Sequence, residues 1–181
     1  MKINVCVADE SHAVYAQQIC DLVYVSAQER GTGIAKRTPE YIAQKMKVGK
    51  AVIALTEEGE LAGFAYVETW SHTLFVANSG LIVAHKFRKT GLAKRIKQEV
   101  FNLSRRKYPD AKIFSITTGA AVMKINSDMG FRPVPFSELT DDAEFWAGCK
   151  GCKNFDILER NNYKMCLCTG LLYDPADKES R

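Results

Sequence analysis

Leu81-Ile82-Val83-Ala84-His85-Lys86-Phe87-Arg88-Lys89-Thr90-Gly91-Leu92-Ala93 is the stretch whose reading decides the fold of this 181-residue chain. An apolar, strand-like run enters a basic turn, and the turn opens directly into an amphipathic helix with Leu92, Ile96, Val100 and Leu103 on one stripe. The peptide N–H groups of a first helical turn have no partner inside the helix, and the positive end of the helix dipole sits on them, so this arrangement offers a site for an anion. Gly91 permits close backbone approach, Ala93 keeps the helix start uncrowded, and Arg88 and Lys89 add charge at the rim.

Outward from the turn, the pattern alternates between periods of two and of 3.6 residues. Ile3 to Val7 reads as a strand. Ser11 is the expected N-cap of a helix carrying Tyr15, Ile19, Leu22 and Val23. Thr38-Pro39-Glu40 opens a second helix with proline in its first position, carrying Tyr41, Ile42 and Met46 and ending at Gly49. Two runs, Ala51 to Thr56 and Leu61 to Thr69, form a hairpin about Glu57-Glu58-Gly59-Glu60. Leu74 to Val83 is a strand with Asn78-Ser79-Gly80 marking a bulge. Lys112 to Thr117 reads as a strand and Ala121 to Met129 as a helix closed by Gly130. A polar helix follows around Thr140 to Ala147, and Tyr163 to Tyr173 alternates like a last strand. The order β-α-α-β-β-β-α-β-α-β-(α)-β packs as an α/β (α+β) fold, a mixed sheet with helices on both faces.

Arg88-x-x-Gly91-x-Ala93 after an apolar strand resembles the acyl-CoA pyrophosphate signature of the GNAT superfamily of acyltransferases. The resemblance implies a mostly antiparallel central sheet splayed between two strands. It also implies acetyl-CoA or another acyl-CoA as cosubstrate, and transfer of the acyl group to a primary amine. The backbone from Arg88 through Lys89, Thr90, Gly91 and Leu92 to Ala93 would hold the pyrophosphate. Leu81, Ile82 and Val83 would pair with the pantetheine arm, and a backbone amide near Val83 would polarise the thioester carbonyl. Ile113 to Thr117, the following helix and Gly130-Phe131 resemble the family's other wall of the CoA site. Members often carry a tyrosine four residues before that Gly-Phe pair, as acid for the leaving thiolate; this chain has Asn126 there, with Ser127 beside it. The resemblance therefore implies a CoA contact at Asn126 and leaves the proton to Ser127 or a water, or to no acid, since a thiolate leaves readily.

On the acceptor side, Lys36 and Arg37 stand just ahead of a helix N-terminus, a pair suited to a carboxylate, Arg37 through a bidentate fork and Lys36 as a point charge. This segment is similar to the acetyltransferase domain of N-acetylglutamate synthases, where an Ile-x-x-Arg-Ser-x-Glu pattern stands here, and the Thr117-Thr118 pair resembles the same enzymes. Glutamate is accordingly the favoured kind of acceptor; a polyamine, an aminoglycoside or a protein N-terminus is the alternative. An α-amino group titrates near ~8, so a carboxylate or histidine acting through water suffices as base. Glu68 and His72 are the candidates.

Cys149-x-x-Cys152, thirteen residues, then Cys166-x-Cys168 gives two close thiol pairs, a ligand set that suits tetrahedral zinc. Packed reduced thiols or a redox dithiol at Cys149-Cys152 are the other readings. Residues 1–173 read as one domain with a Cys-rich insertion at about 137–168, and 174–181 as a flexible tail. With 46% hydrophobic and 25% charged residues the chain belongs among folded globular proteins, and no apolar run is long enough for a membrane span. The N-terminus lacks the features of a signal peptide, so the expected location is the cytoplasm, with reduced cysteines; a homodimer is compatible with the sequence. The net charge of +4 suits an anionic ligand. A rival reading, a nucleic-acid module with a zinc knuckle, rests on Lys86, Arg88, Lys89, Lys94, Arg95, Lys97, Arg105, Arg106 and Lys107.

Overall fold

The computed structural model describes residues 2–31 and 37–179. Its strands are β1 (Ile3–Val7), β2 (Ala51–Thr56), β3 (Leu61–Trp70), β4 (Phe75–Val83), β5 (Lys112–Thr117), β6 (Arg132–Val134) and β7 (Thr169–Tyr173). Its helices are α1 (Ala16–Arg30), α2 (Pro39–Lys47), α3 (Leu92–Lys107), α4 (Ala120–Asp128), α5 (Ala143–Ala147), α6 (Phe155–Arg160) and α7 (Ala176–Glu179). The strand order is β1-β2-β3-β4-β5-β7-β6, antiparallel throughout the pairs β1/β2, β2/β3, β5/β7 and β6/β7 and parallel at β4/β5. The β4/β5 ladder covers only Phe75 to Ala77 against Lys112 to Phe114, although both strands run further.

The chain divides into two compact units. The first holds the described residues up to Glu68 other than Gly31, together with Asn78–Leu103; the second holds Thr69–Ala77 and the described residues from Ser104 onward. In the first unit β3 is buried on both faces, from Leu61 to Glu68. Phe64 and Tyr66 pack with Ile19 of α1 and Ile42 and Met46 of α2. On the opposite face Gly63 lies against α3. A Cβ there would come within 2.5 Å of Ile96 Cδ1 and 2.7 Å of the Ile82 carbonyl oxygen, so glycine lets the helix sit close. Each fully buried aliphatic or Phe side chain in such a core contributes roughly 1.5–3 kcal/mol. The N-terminus of α2 is as its sequence predicts: the Thr38 hydroxyl accepts the Tyr41 N–H, and Pro39 follows in the first turn.

Helix α1 departs from expectation at its start. Asp9, not Ser11, is the cap: its carboxylate accepts Ser11 N–H at 2.9 Å, His12 returns to the Asp9 N–H, and a 3-10 turn over Glu10–Tyr15 precedes α1. The bulge triplet of β4 adopts a special backbone, with Gly80 at φ +64° and facing the Tyr66 ring, which a Cβ would meet at 2.3 Å. Asn78 and Ser79 reach different partners, Asn78 the Lys97 amine at 3.1 Å and Ser79 the Glu68 carboxylate at 3.3 Å.

In the second unit, β5, β7 and β6 form an antiparallel sheet over a core of Phe114, Val134, Phe136, Leu139, Trp146, Leu158 and Leu172. Trp146 donates its indole N–H to the Thr140 carbonyl at 2.8 Å. The run Tyr163 to Tyr173 is strand only from Thr169, because Asn162 and Tyr163 turn at positive φ and the partner strand β5 ends at Thr117, opposite Thr169. Helix α6 is an addition to the sequence reading. Near the C-terminus Asp174 pairs with Lys112 at 2.9 Å and Asp177 approaches Arg132 at 3.4 Å.

Candidate active site

The turn before α3 has the character its sequence requires of an anion site. Gly91 holds φ +81° and Lys89 φ +64°, and a Cβ on Gly91 would meet no atom within 4 Å. The Thr90 hydroxyl closes the turn by donating to the Phe87 carbonyl at 2.7 Å. Among the described residues no acceptor engages the N–H groups of Lys89, Thr90, Gly91, Leu92 or Ala93; the first backbone bonds of the helix are those of Lys94 and Arg95 to the Gly91 carbonyl. Successive bare N–H groups at a helix start are donors for phosphate oxygens. Arg88 does something else than crowd the rim. Its guanidinium reaches the Val83 carbonyl at 3.2 Å, the Ser26 hydroxyl at 3.0 Å and Glu29 at 3.1 Å, tying strand, turn and α1 together. Lys89 is exposed and Leu92 buried. Leu81, Ile82 and Val83 close β4 just ahead of the turn, with Ile82 in the core.

A polar cluster lies on the α2 side of β3 in the same unit. Glu68 is 5% exposed. Its carboxylate accepts the Tyr41 hydroxyl and the Ser79 hydroxyl, and Arg37 Nη2 lies 3.7 Å from it. Arg37 Nε donates to the Tyr66 hydroxyl at 2.8 Å, and the Cys20 thiol donates to the Arg37 carbonyl at 3.4 Å. Burial, then Glu68, pushes both tyrosine hydroxyls well above the ordinary phenol range, so both remain protonated. Burial would lower the Arg37 guanidinium, but the attraction of Tyr66 and Glu68 outweighs it and the net direction is up. Lys45 Nζ sits 4.9 Å from the Tyr41 ring centre and 5.9 Å from that of Tyr66. The structure thus brings two sequence candidates, Arg37 and Glu68, together as a pair. Lys36 lies outside the described residues.

The remaining candidates are dispersed or differently employed. His72 is exposed in a turn where Ser71, His72 and Thr73 all take positive φ, and among the described residues no hydrogen bond or ion pair holds its ring. In α4 Ser127 is exposed, whereas Asn126 is fully buried with neither amide atom hydrogen-bonded. Such an orphaned amide is what a missing hydrogen-bonding group leaves behind. Sequence reasoning overlooked Tyr41, Lys45, Tyr66, Ser79 and the buried Lys97. The spacing Arg37, Tyr41, Lys45, one helical turn apart, and Tyr66-x-Glu68 on one strand face were the available signals.

The zinc expectation is not supported. Cys149, Cys152, Cys166 and Cys168 border one apolar cavity of about 20 Å³ with Ile116, Phe136, Trp146, Phe155 and Leu158. Among the described residues, however, no group of three or more His, Cys, Asp or Glu side chains is placed to hold a metal ion. Burial first, then the neighbouring thiols, pushes Cys149 up to about 11 and Cys168 up to about 12, so both stay protonated. The physical reason is the loss of the expected strand: Cys166 and Cys168 precede β7, and their sulfurs pack against the unit's aromatic core. The basic stripe behind the nucleic-acid reading is not one solvated face either. Lys97 is buried, Lys86 pairs with Glu60, Arg95 donates to the Ile3 carbonyl and Arg105 to that of Pro109.

No family model and no curated protein matches the chain. Solved structures do. N-acetylglutamate synthase from Neisseria gonorrhoeae, complexed with coenzyme A and N-acetyl-glutamate, superimposes with a TM-score of 0.67 at 17% identity, over 96% of this chain and 35% of that one. This chain thus spans about a third of the length of that enzyme. A putative acetyltransferase from Salmonella typhimurium with its cofactor acetyl-CoA gives 0.63 at 14% identity, over 97% and 95% of the two chains. Diaminobutyrate acetyltransferase from Paenibacillus lautus, with L-2,4-diaminobutyric acid and coenzyme A, gives 0.62 at 11%, over 96% and 95%. No described helix is long and apolar enough to cross a membrane.

Proposed function

We propose that this chain, whose fold is that of the GNAT acetyltransferases, moves an acetyl or related acyl group from acyl-CoA to the amine of a small acceptor, with an amino acid such as glutamate favoured. The observation that carries the reading is the row of unengaged N–H groups from Lys89 to Ala93, backed by an open Gly91 and opening α3. Those donors suit the diphosphate of the cosubstrate, and the Arg88 contacts hold them in position without a ligand. The strand end Leu81 to Val83, which runs directly into the turn, would pair with the pantetheine arm.

In the reaction the lone pair of a neutral amine attacks the thioester carbonyl carbon, the new C–N bond forms, and the C–S bond breaks to release the thiolate. The amine's surplus proton passes to the Glu68 carboxylate directly or through water. Arg37, Tyr41 and Ser79 keep that carboxylate ordered. A thiolate leaves readily, so Ser127 need not act as an acid. Arg37 would also lie at the acceptor's carboxylate, with Lys36 as the second cation. The support for an amino-acid acceptor is the pair of cations Arg37 and Lys45 in the cluster around Glu68, in a fold whose solved relatives include enzymes of amino-acid acetylation. We place residues 1–173 in one acyltransferase domain, with 137–168 as its insertion.

Thiol release is the test: acetyl-CoA and succinyl-CoA, each against a panel of amino acids, polyamines and aminoglycosides. Release above the hydrolysis blank with glutamate or a close analogue is expected. Release only with polyamines or aminoglycosides would move the acceptor, and no release with any amine would contradict acyl transfer.

A further inference from the structure

Within the polar cluster the cations are unequally employed. Arg37 already has partners in the protein, Tyr66 at 2.8 Å and Glu68 at 3.7 Å, and shares its charge with them. Lys45, in the last turns of α2, rests on two tyrosine rings, and among the described residues its ammonium has no hydrogen bond or ion pair. Among the described residues the two cations face one carboxylate, Glu68, which leaves one positive charge without a counterion in a half-buried place. Desolvation, then Lys50 and Arg37, disfavours the charged ammonium, and only Glu68 favours it. A second carboxylate beside Lys45 would supply the missing charge, and its ammonium still has donors to offer that carboxylate.

We propose that Lys45 is the specificity-determining residue of the acceptor site, its ammonium contacting a carboxylate of the incoming amine while Arg37 orders Glu68. This rests on the acyl-transfer reading for its chemistry but not for its binding. The tyrosine rings under Lys45 hold the ammonium over the cluster, and Tyr41, shared by Arg37 at 5.3 Å and Lys45 at 4.9 Å, fixes the spacing of the two charges. A substrate without a carboxylate gains nothing from this residue, so selection falls on amino acids over simple amines.

The experiment compares wild type, Lys45→Met and Lys45→Arg with glutamate and with a simple alkylamine, by steady-state thiol release from acetyl-CoA and by calorimetry of glutamate alone. For Lys45→Met the expected result is a rise of about tenfold or more in KM and Kd for glutamate. Its kcat, its KM for acetyl-CoA and its rates with the alkylamine should stay near wild type. Lys45→Arg, which keeps the charge, should retain most of the glutamate affinity. If no amine releases thiol yet glutamate binds wild type and binds Lys45→Met about tenfold more weakly, acyl transfer fails and the Lys45 assignment stands. Equal losses on both amines, an unchanged glutamate Kd in Lys45→Met, or no glutamate binding to wild type would each overturn the assignment, whatever the fate of acyl transfer.

Discussion

The turn before α3 and the cysteine-rich stretch 149–168 each concentrate a motif in a few residues, and the fold uses them in opposite ways. In the turn the side chains are committed to the protein, Arg88 to Val83, Ser26 and Glu29 and Thr90 to Phe87, and the peptide N–H groups are left over. In the cysteine-rich stretch Cys149, Cys166 and Cys168 pack against Phe136, Trp146 and Leu158, and burial keeps Cys149 and Cys168 protonated. A motif that works through its own backbone can be read from neighbouring residues. One that needs distant side chains to converge depends on packing that no short window contains.

The sharpest way to break this contrast is to spoil the turn without touching the core. Gly91→Asp forces an L side chain onto a backbone at φ +81° and puts a negative charge among the bare N–H groups. Coenzyme A affinity should fall on the order of a thousandfold, read by calorimetry, with the circular dichroism spectrum unchanged. Wild-type affinity in this variant would remove the turn from the site.

The next effect tests the helix that the turn opens. Lys97, buried and bonded to Asn78, has its amine pulled down to about 7 by desolvation, against 10.5 for an ordinary lysine. Between those values the unfolded chain carries the extra proton, so the free energy of unfolding should rise with pH, by about 2 kcal/mol from pH 7 to 9. Urea unfolding of Lys97→Met across that window should lack the rise. Parallel curves for the two proteins would mean that Lys97 is charged in the native state.

A smaller effect concerns how closely α3 is seated. Gly63→Ala drives a methyl into Ile96 and the Ile82 carbonyl and should cost about 1–3 kcal/mol in denaturant unfolding, since a fixed backbone oxygen cannot yield as a side chain can. An unchanged midpoint would show that the helix shifts freely. The smallest effect belongs to the other region: chelator should move the melting temperature by no more than about 1 °C, because packed thiols lose nothing on metal removal. A large drop on chelation would restore a structural metal to the four cysteines.

Local chemistry explains what could be read in advance. Thr38-Pro39 caps α2 through its own hydroxyl, and the stripe Leu92, Ile96, Val100, Leu103 is buried as its spacing implies. Asn78-Ser79-Gly80 announced an irregularity, and Gly80 turns there against Tyr66. The Asp9 cap was obscured because Ser11 also suits a cap, and a 3-10 turn that contains Ser11 separates Asp9 from α1. The alternation from Tyr163 suggested a longer strand, but pairing needs a partner, and the ladder to β5 stops at Thr169 opposite Thr117, the last residue of β5. The cluster at Glu68 was only half visible. Glu68 and Arg37 were each picked out, but the contact with Tyr41 spans 27 residues and that between Arg37 and Tyr66 spans 29, separations set by the fold.

One titration tests the central claim most directly: coenzyme A, and separately pantetheine, which lacks the diphosphate, into wild-type protein in a calorimeter. The bare N–H groups of residues 89–93 predict saturable one-to-one binding of coenzyme A and a loss of about a hundredfold or more for pantetheine. No heat with coenzyme A, or equal affinity for the two compounds, would contradict the account.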